Sequence, residues 1–322
     1  MNPPLICQYR QSSGRSNMDC VVIGRRFLES VGPRGEDGTE RDHYIIINEP
    51  AQDGLVTTHT LYQFQDFLTG LWRADAGHVF VTGAVLGGVY LFREIMDTQR
   101  GSEKMQLPDV TPEGVWGLDD SHVYVWGTRM DAGRNKTYPV FMFDGSTWSE
   151  LPTLPHPCNK IHGTAPDCLY AVGWNGMIAR WNGSAWDALA TPFDGIITDV
   201  HVESPTEQYA VTLTGALLEG SGTAWEQTGQ NPLGATPFSC VAKFRGEVYI
   251  GANEVGLMKR TVDGGVAEFK PKLGAVHLEA RETLIITCAT RISGSGDGER
   301  FASCAVDAFA KNTANSPLAG LR

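Results

Sequence analysis

His162, His201 and His277 are each followed eight residues later by a strand-forming residue: Tyr170, Tyr209 and Ile285. Imidazole is the commonest metal ligand and the side chain that titrates nearest neutrality. Three at matching places in a repeating chain would suit a metal ion or a general acid–base site. Acids recur nearby at Asp75, Asp119, Asp120, Asp167 and Glu203, and a ring of carboxylates would suit calcium or a cationic substrate. The spacing argues the other way. A metal-bound imidazole needs an orienting partner on its second nitrogen, yet no acid stands at one offset from all three histidines. The acids read as turn formers. The chain contains no HExxH, GxSxG, P-loop or DxDxDG pattern. Gly294, Gly296 and Gly298 alternate with no helix pattern after them, so they read as a loop rather than a phosphate cradle. The expectation is no catalytic residue, no cofactor and no metal. Were a metal present, His162, His201 and His277 would be its first ligands.

The elements that must position these residues are written in a repeat. Trp116 precedes Tyr124 by eight, as His162 precedes Tyr170, and a Gly follows each Tyr by three (Gly127, Gly173). A polar-Gly-polar turn then leads to a Trp: Asp144-Gly145-Ser146-Thr147-Trp148 and Asn182-Gly183-Ser184-Ala185-Trp186. Weaker copies are anchored at Trp72, His201, Ala242 and His277, and Trp225 repeats the terminal Trp. The anchors recur about every 40 residues, with three or four short apolar strands per copy, which is the period of a β-propeller blade. Residues 18–67 read as an irregular first blade: strands at 18–24 and 43–50, two more within 55–67, and an exposed charged loop at 25–42.

The prediction is an all-β, seven-bladed propeller of about four short antiparallel strands per blade. It forms one domain over residues 1–310, regular over 68–310, with a polar tail at 311–322. The last copy lacks an obvious outer strand, so Leu5–Arg10 is expected to cross over, complete it and close the ring, which would protect an open edge. Each blade packs on both faces, hence strands such as VYVWG and LYAVG that are apolar throughout. The D/N-G-S/T turns supply positive φ, and Trp148, Trp186 and Trp225 supply plates for the wedge between blades. The histidines are expected to serve as half-polar plates of the same kind.

The pattern VWG-acid-VYAVG-x-x-G-x-I-x-x-W-x-G-x-x-W over roughly residues 70–285 resembles bacterial propeller repeats, among them the BNR-like and photosystem II assembly-factor-like propellers. The resemblance implies the fold. Sialidase-type Asp boxes are broken here, because Asp144 and Asn182 abut their Gly, so the chemistry of any one family does not come with it.

The formal net charge is −11, which argues against nucleic-acid or membrane partners and for a basic one. The first fifteen residues lack the apolar core of a secretory signal, and no stretch has the apolar length of a membrane helix. With seven scattered cysteines and no CxxC, free buried thiols and a cytoplasmic setting are expected. Binding residues concentrate in loops on rigid scaffolds. Loops 130–136, 173–176, 253–256 and 292–300 are expected to follow second strands and share one face. Arg129, Arg134, Trp174, Asn175, Asn253 and Glu254 are the candidate partner-binding residues. The expected function is non-catalytic binding of a protein partner by a propeller monomeric on its own, concretely an immunity protein that neutralises a basic bacterial toxin. The alternatives are a metal-dependent hydrolase or lyase with its site in the central channel, and an assembly scaffold.

Overall fold

The computed structural model describes residues 5–28, 42–50, 56–64 and 66–305. They form twenty-eight strands in seven four-stranded antiparallel sheets, as the repeat predicted. The innermost strands are β1 (Leu5–Ser16), β5 (Leu68–Arg73), β9 (Thr111–Asp119), β13 (Cys158–Ala165), β17 (Ile197–Ser204), β21 (Cys240–Phe244) and β25 (His277–Ala280). Each packs beside the next, and β1 packs beside both β5 and β25, which closes the ring around a central channel. The second strands are buried along almost their whole length in β6 (Val79–Gly83), β14 (Cys168–Gly173) and β18 (Glu207–Thr212). Tyr124, Tyr170 and Tyr249 rank among the largest fully buried side chains, and each such burial stabilises by roughly 1.5–3 kcal/mol.

The turn prediction is matched in detail. Gly145 and Gly183 both sit at φ 96°, where a side chain would be strained. The preceding Asp144 and Asn182 accept the backbone N–H groups of Ser146 and Thr147 and of Ser184 and Ala185. Trp148 donates its indole N–H to Met105 Sδ across the second and third blades. Trp225 stands edge-on to Tyr170 across the fourth and fifth. Cys20, Cys158, Cys168, Cys240, Cys288 and Cys304 are free thiols, all buried but Cys304. Cys304 pairs in register with Ile292, not with Cys288.

The seam of the ring differs from expectation. Leu5–Arg10 does not complete the last blade. It belongs to β1, which pairs with β2 (Asp19–Leu28) as the innermost strand of the first blade. The last blade supplies its own outer strand, β28 (Ala302–Ala305), against β27 (Arg291–Ser295). The segment before residue 18 is polar because one edge of β1 lines the channel. The residues 55–67, expected to hold two strands, hold one, β4 (Val56–Phe64). Of the charged loop 25–42, residues 25–28 and 42 extend β2 and β3 (Asp42–Pro50). Residues 29–41 and the tail 311–322 lie outside the described residues.

With no strand exchanged, side chains join the first and last blades. Ser12 and Thr287 pair hydroxyls at 2.7 Å in a buried setting, and Ser13 donates to Glu279 at 3.1 Å. The Tyr9 N–H donates to the Ala289 carbonyl. Arg281 donates to Ser13 of the first blade at 3.3 Å and reaches on to Asp75 and the Arg73 carbonyl of the second blade. Removing one partner of a buried hydroxyl pair leaves the other unsatisfied. Thr287→Val should therefore cost about 1–3 kcal/mol in urea unfolding, and adding Ser12→Ala should cost less than the sum of the single changes. Strict additivity would show that the pair does not hold the seam.

Candidate protein-binding face

Strand register gives each blade a channel position: Ser13, Trp72, Trp116, His162, His201, Ala242 and Glu279, opposite Val21, Phe80, Tyr124, Tyr170, Tyr209, Tyr249 and Ile285. His277 is not at this level. It pairs with Thr287, one side-chain repeat further along, at the level of Lys160 and Asp199. The last blade turns its first hairpin within residues 281–283 without a bulge, so a spacing of eight no longer means equal depth. The three histidines thus do not form one ring. Among the described residues no group of three His, Cys, Asp or Glu is arranged to hold a metal ion.

What the channel side chains do is cap an edge. An innermost strand has no partner on its channel side, so its outward N–H groups need acceptors. They find them on the preceding blade. Gln11 accepts from Leu71 N at 3.2 Å, Ser13 from Arg73 N at 2.9 Å, His162 Nδ1 from Val202 N at 3.1 Å and Asp199 from Val241 N at 2.9 Å. His162 also packs between Trp116 and His201, its ring tilted by 37° to each, with centroids 4.8 and 4.9 Å apart. Burial, then His201 and Lys160, holds the His162 imidazole well below its ordinary pKa, and burial with Lys160 does the same to His277. Both rings are neutral at pH 7. The open part of the channel is a cavity of about 260 Å³ continuing into one of about 130 Å³, with Lys160, Asp199 and His277 at the shared waist.

The acids of the sequence pattern do not form a ring. Asp75 meets Arg281, Asp119 meets His122, Asp120 meets His78, and Glu203 meets His201 and Lys243. They lie toward the face where first and second strands connect.

The opposite face carries the connections from second to third strand and from one blade to the next. Loops 131–135, 174–177 and 252–256 lie there, as predicted. Residues 292–300 do not. They form β27 and its turn to β28, so they reach the other face. Antiparallel order sends successive connections to opposite ends of a blade.

The candidate residues play different parts. Arg129 is bound to Glu150 by two 2.8 Å hydrogen bonds and also donates to the Pro108 carbonyl. Arg134, Asn175 and Asn253 have φ of 66°, 55° and 52°. Asn tolerates this left-handed region. In Arg134 it is sustained by Asp131, whose carboxylate accepts the Asn135 backbone and side-chain N–H groups. Asn253 is half-buried and accepts from Ala275 N at 2.7 Å, while Glu254 is exposed. Trp174 is 48% exposed on a turn braced by Pro157 and Gly195.

The residues missed from sequence are apolar. Nine large hydrophobic side chains are exposed among the described residues, and seven lie on this face: Val85, Leu86, Met130, Trp174, Leu213, Leu233 and Val255. They form an arc over the second to sixth blades. Local polar groups hold them out. Buried Asp66 accepts from Val85 N, Leu86 N and Tyr90 Oη, and buried Asn231 accepts from Leu233 N. Single apolar residues in loops give no sequence signal, because only their coincidence on one face is informative.

No family model matches the chain, and no curated protein matches it in sequence. Solved structures do. Virginiamycin B lyase from Staphylococcus aureus matches with TM-score 0.60 and 16% identity over 83% of this chain and 89% of its own. The WD40 propeller domain of Doa1 matches with TM-score 0.65 and 9% identity, covering 89% and 92%. YCF48 from Cyanidioschyzon merolae, a protein also solved bound to D1 peptide, matches with TM-score 0.52 and 16% identity, covering 74% and 85%. These likenesses are of fold, and they agree with the resemblance to bacterial propeller repeats.

A neutral buried imidazole has a definite pH consequence. The unfolded chain binds a proton near the ordinary value of 6.5 and the folded chain does not, so stability is complete above that value and falls as pH drops below it. His162→Phe keeps the plate, loses the acceptor for Val202 N, and should cost about 1–2 kcal/mol at pH 7. Below pH 6.5 the deficit should shrink by up to about 1.4 kcal/mol per pH unit. A deficit constant from pH 7 to 5 in chemical denaturation would refute the buried neutral ring.

Proposed function

We propose that this protein is a non-catalytic propeller that docks a partner protein on the apolar face. The observation that carries the proposal is the gathering of seven of the nine exposed large hydrophobic side chains on that face. Exposed apolar side chains scattered singly over a surface are ordinary, whereas their gathering on one face marks a candidate recognition surface. The channel histidine His162 and the channel carboxylate Asp199 serve as acceptors for the neighbouring blade, which supports binding over catalysis. YCF48, which shares the fold, is known with a bound D1 peptide.

The net charge of −11 supports a basic partner, because charge acts on the encounter over a Debye length while apolar contact sets the final affinity. An immunity protein that blocks a basic toxin in the cytoplasm is the concrete form of this reading. An assembly scaffold would use the same face and differ only in its partner.

Full-length protein captured from its native host should bring down a stoichiometric basic protein. A Met130→Ser, Trp174→Ser, Leu213→Ser variant should lose it while melting close to wild type, since exposed substitutions shift stability by only about 0.5 kcal/mol each. Retention of the partner by the variant would remove the apolar face from the function. A stoichiometric divalent metal with no partner in the same sample would favour a channel enzyme instead.

A further inference from the structure

On the reading that this face docks a protein, we propose that the cleft between the third and fourth blades takes an extended segment of the partner. That segment carries an arginine or lysine. Its cation meets Glu113, and a neighbouring apolar side chain rests on Trp174 and Tyr138.

The cleft has a volume of about 490 Å³, with Glu113 and Asn159 toward the channel and Tyr138 and Trp174 toward the rim. It shares Thr128 with a second cleft of about 370 Å³ that reaches Asp109 and Met130. It shares Glu113 and Asn159 with the channel mouth. The two clefts therefore lie on either side of Thr128 in the third blade, one reaching Trp174 beside Glu113 and the other reaching Met130 beside Asp109. Two adjoining clefts suit an extended chain rather than a single small molecule.

Glu113 is the chemical centre of the cleft. One carboxylate oxygen accepts from Thr128 Oγ1 at 2.7 Å. Among the described residues no further hydrogen bond and no ion pair reaches it, and Lys136 acts on it only through space. Glu113 is exposed at the edge of the cleft, which Lys136 also lines, and partial desolvation pushes its carboxyl pKa upward. Asp75 and Glu203, by contrast, already meet Arg281 and Lys243, and Asp119 and Asp120 meet His122 and His78. An incoming guanidinium or ammonium would supply the missing charge through a charge-assisted hydrogen bond, while Trp174 and Tyr138 supply the apolar contact that such anchors require.

The test uses full-length protein and three fluorescein-labelled peptides read by anisotropy: Ser-Leu-Arg-Ser-Leu-Arg-Ser-amide and its counterparts with Glu or Ser replacing Arg. The Arg peptide should bind about tenfold more tightly than the Ser peptide, with the Glu peptide weakest. Glu113→Gln should remove most of that advantage and leave the Ser peptide unchanged. Trp174→Ala should weaken both, and Lys136→Ala should strengthen the Arg peptide by removing a like charge. An Arg peptide that fails to bind, binds no better than the Ser peptide, or is indifferent to Glu113→Gln overturns the proposal. A natural partner kept by Glu113→Gln but lost by the Met130, Trp174, Leu213 variant would overturn the cleft alone and leave the docking face intact.

Discussion

A four-stranded sheet that is apolar on both faces must be covered twice, and in this protein each sheet is covered by its two neighbours. The second strands show this most directly. Val125, Leu169 and Ala210 are buried along with the residues on either side of them, so the usual in–out alternation is absent. A ring is the arrangement in which seven such sheets leave none uncovered. The seam is then the weak place. It joins the first and last blades, and here it is held by hydroxyls, Glu279 and Arg281 rather than by a shared strand.

The same ring creates a second problem at its centre. Seven innermost strands are seven edges, and their channel-facing N–H groups have no strand partner. Polar side chains reaching sideways to the next blade solve this, and they include the residues that looked most chemical in the sequence. His162 and Asp199 are acceptors for Val202 N and Val241 N. An imidazole committed to a backbone N–H, packed between two rings and neutral at pH 7 stabilises the edge. The channel is polar because its edges demand it.

Function is then left to the two faces, and they differ. Turns between first and second strands and between third and fourth strands carry acids such as Asp120, Asp144 and Asp297, fixed by hydrogen bonds to histidine, hydroxyls or backbone. Turns on the other face carry exposed apolar residues held out by buried Asp66 and Asn231. A disk of net negative charge with exposed apolar residues gathered on one face can be drawn to a basic protein by its overall field and seat it by apolar contact. Glu113, an acid on the apolar side with no ion pair, lies where the two preferences meet.

The blade count and the all-β architecture were legible in the sequence, because each copy carries its own strand pattern, Gly-bearing turn and Trp plate, all of which act locally. So was the role of Trp148, Trp186 and Trp225 as wedge plates. The loops after Met130, Gly173 and Gly251 were correctly assigned to one face, since alternation of strand direction follows from strand order. Three things were decided only by tertiary structure. The polar segment before residue 18 became an innermost strand, because a strand along a channel needs polar residues that no local pattern explains. His277 fell out of level with His162 and His201, because depth in the channel is set by hairpin register and not by residue spacing. The arc from Val85 to Val255 exists only when six separate connections are brought to one face, each of its residues being unremarkable in its own stretch of chain.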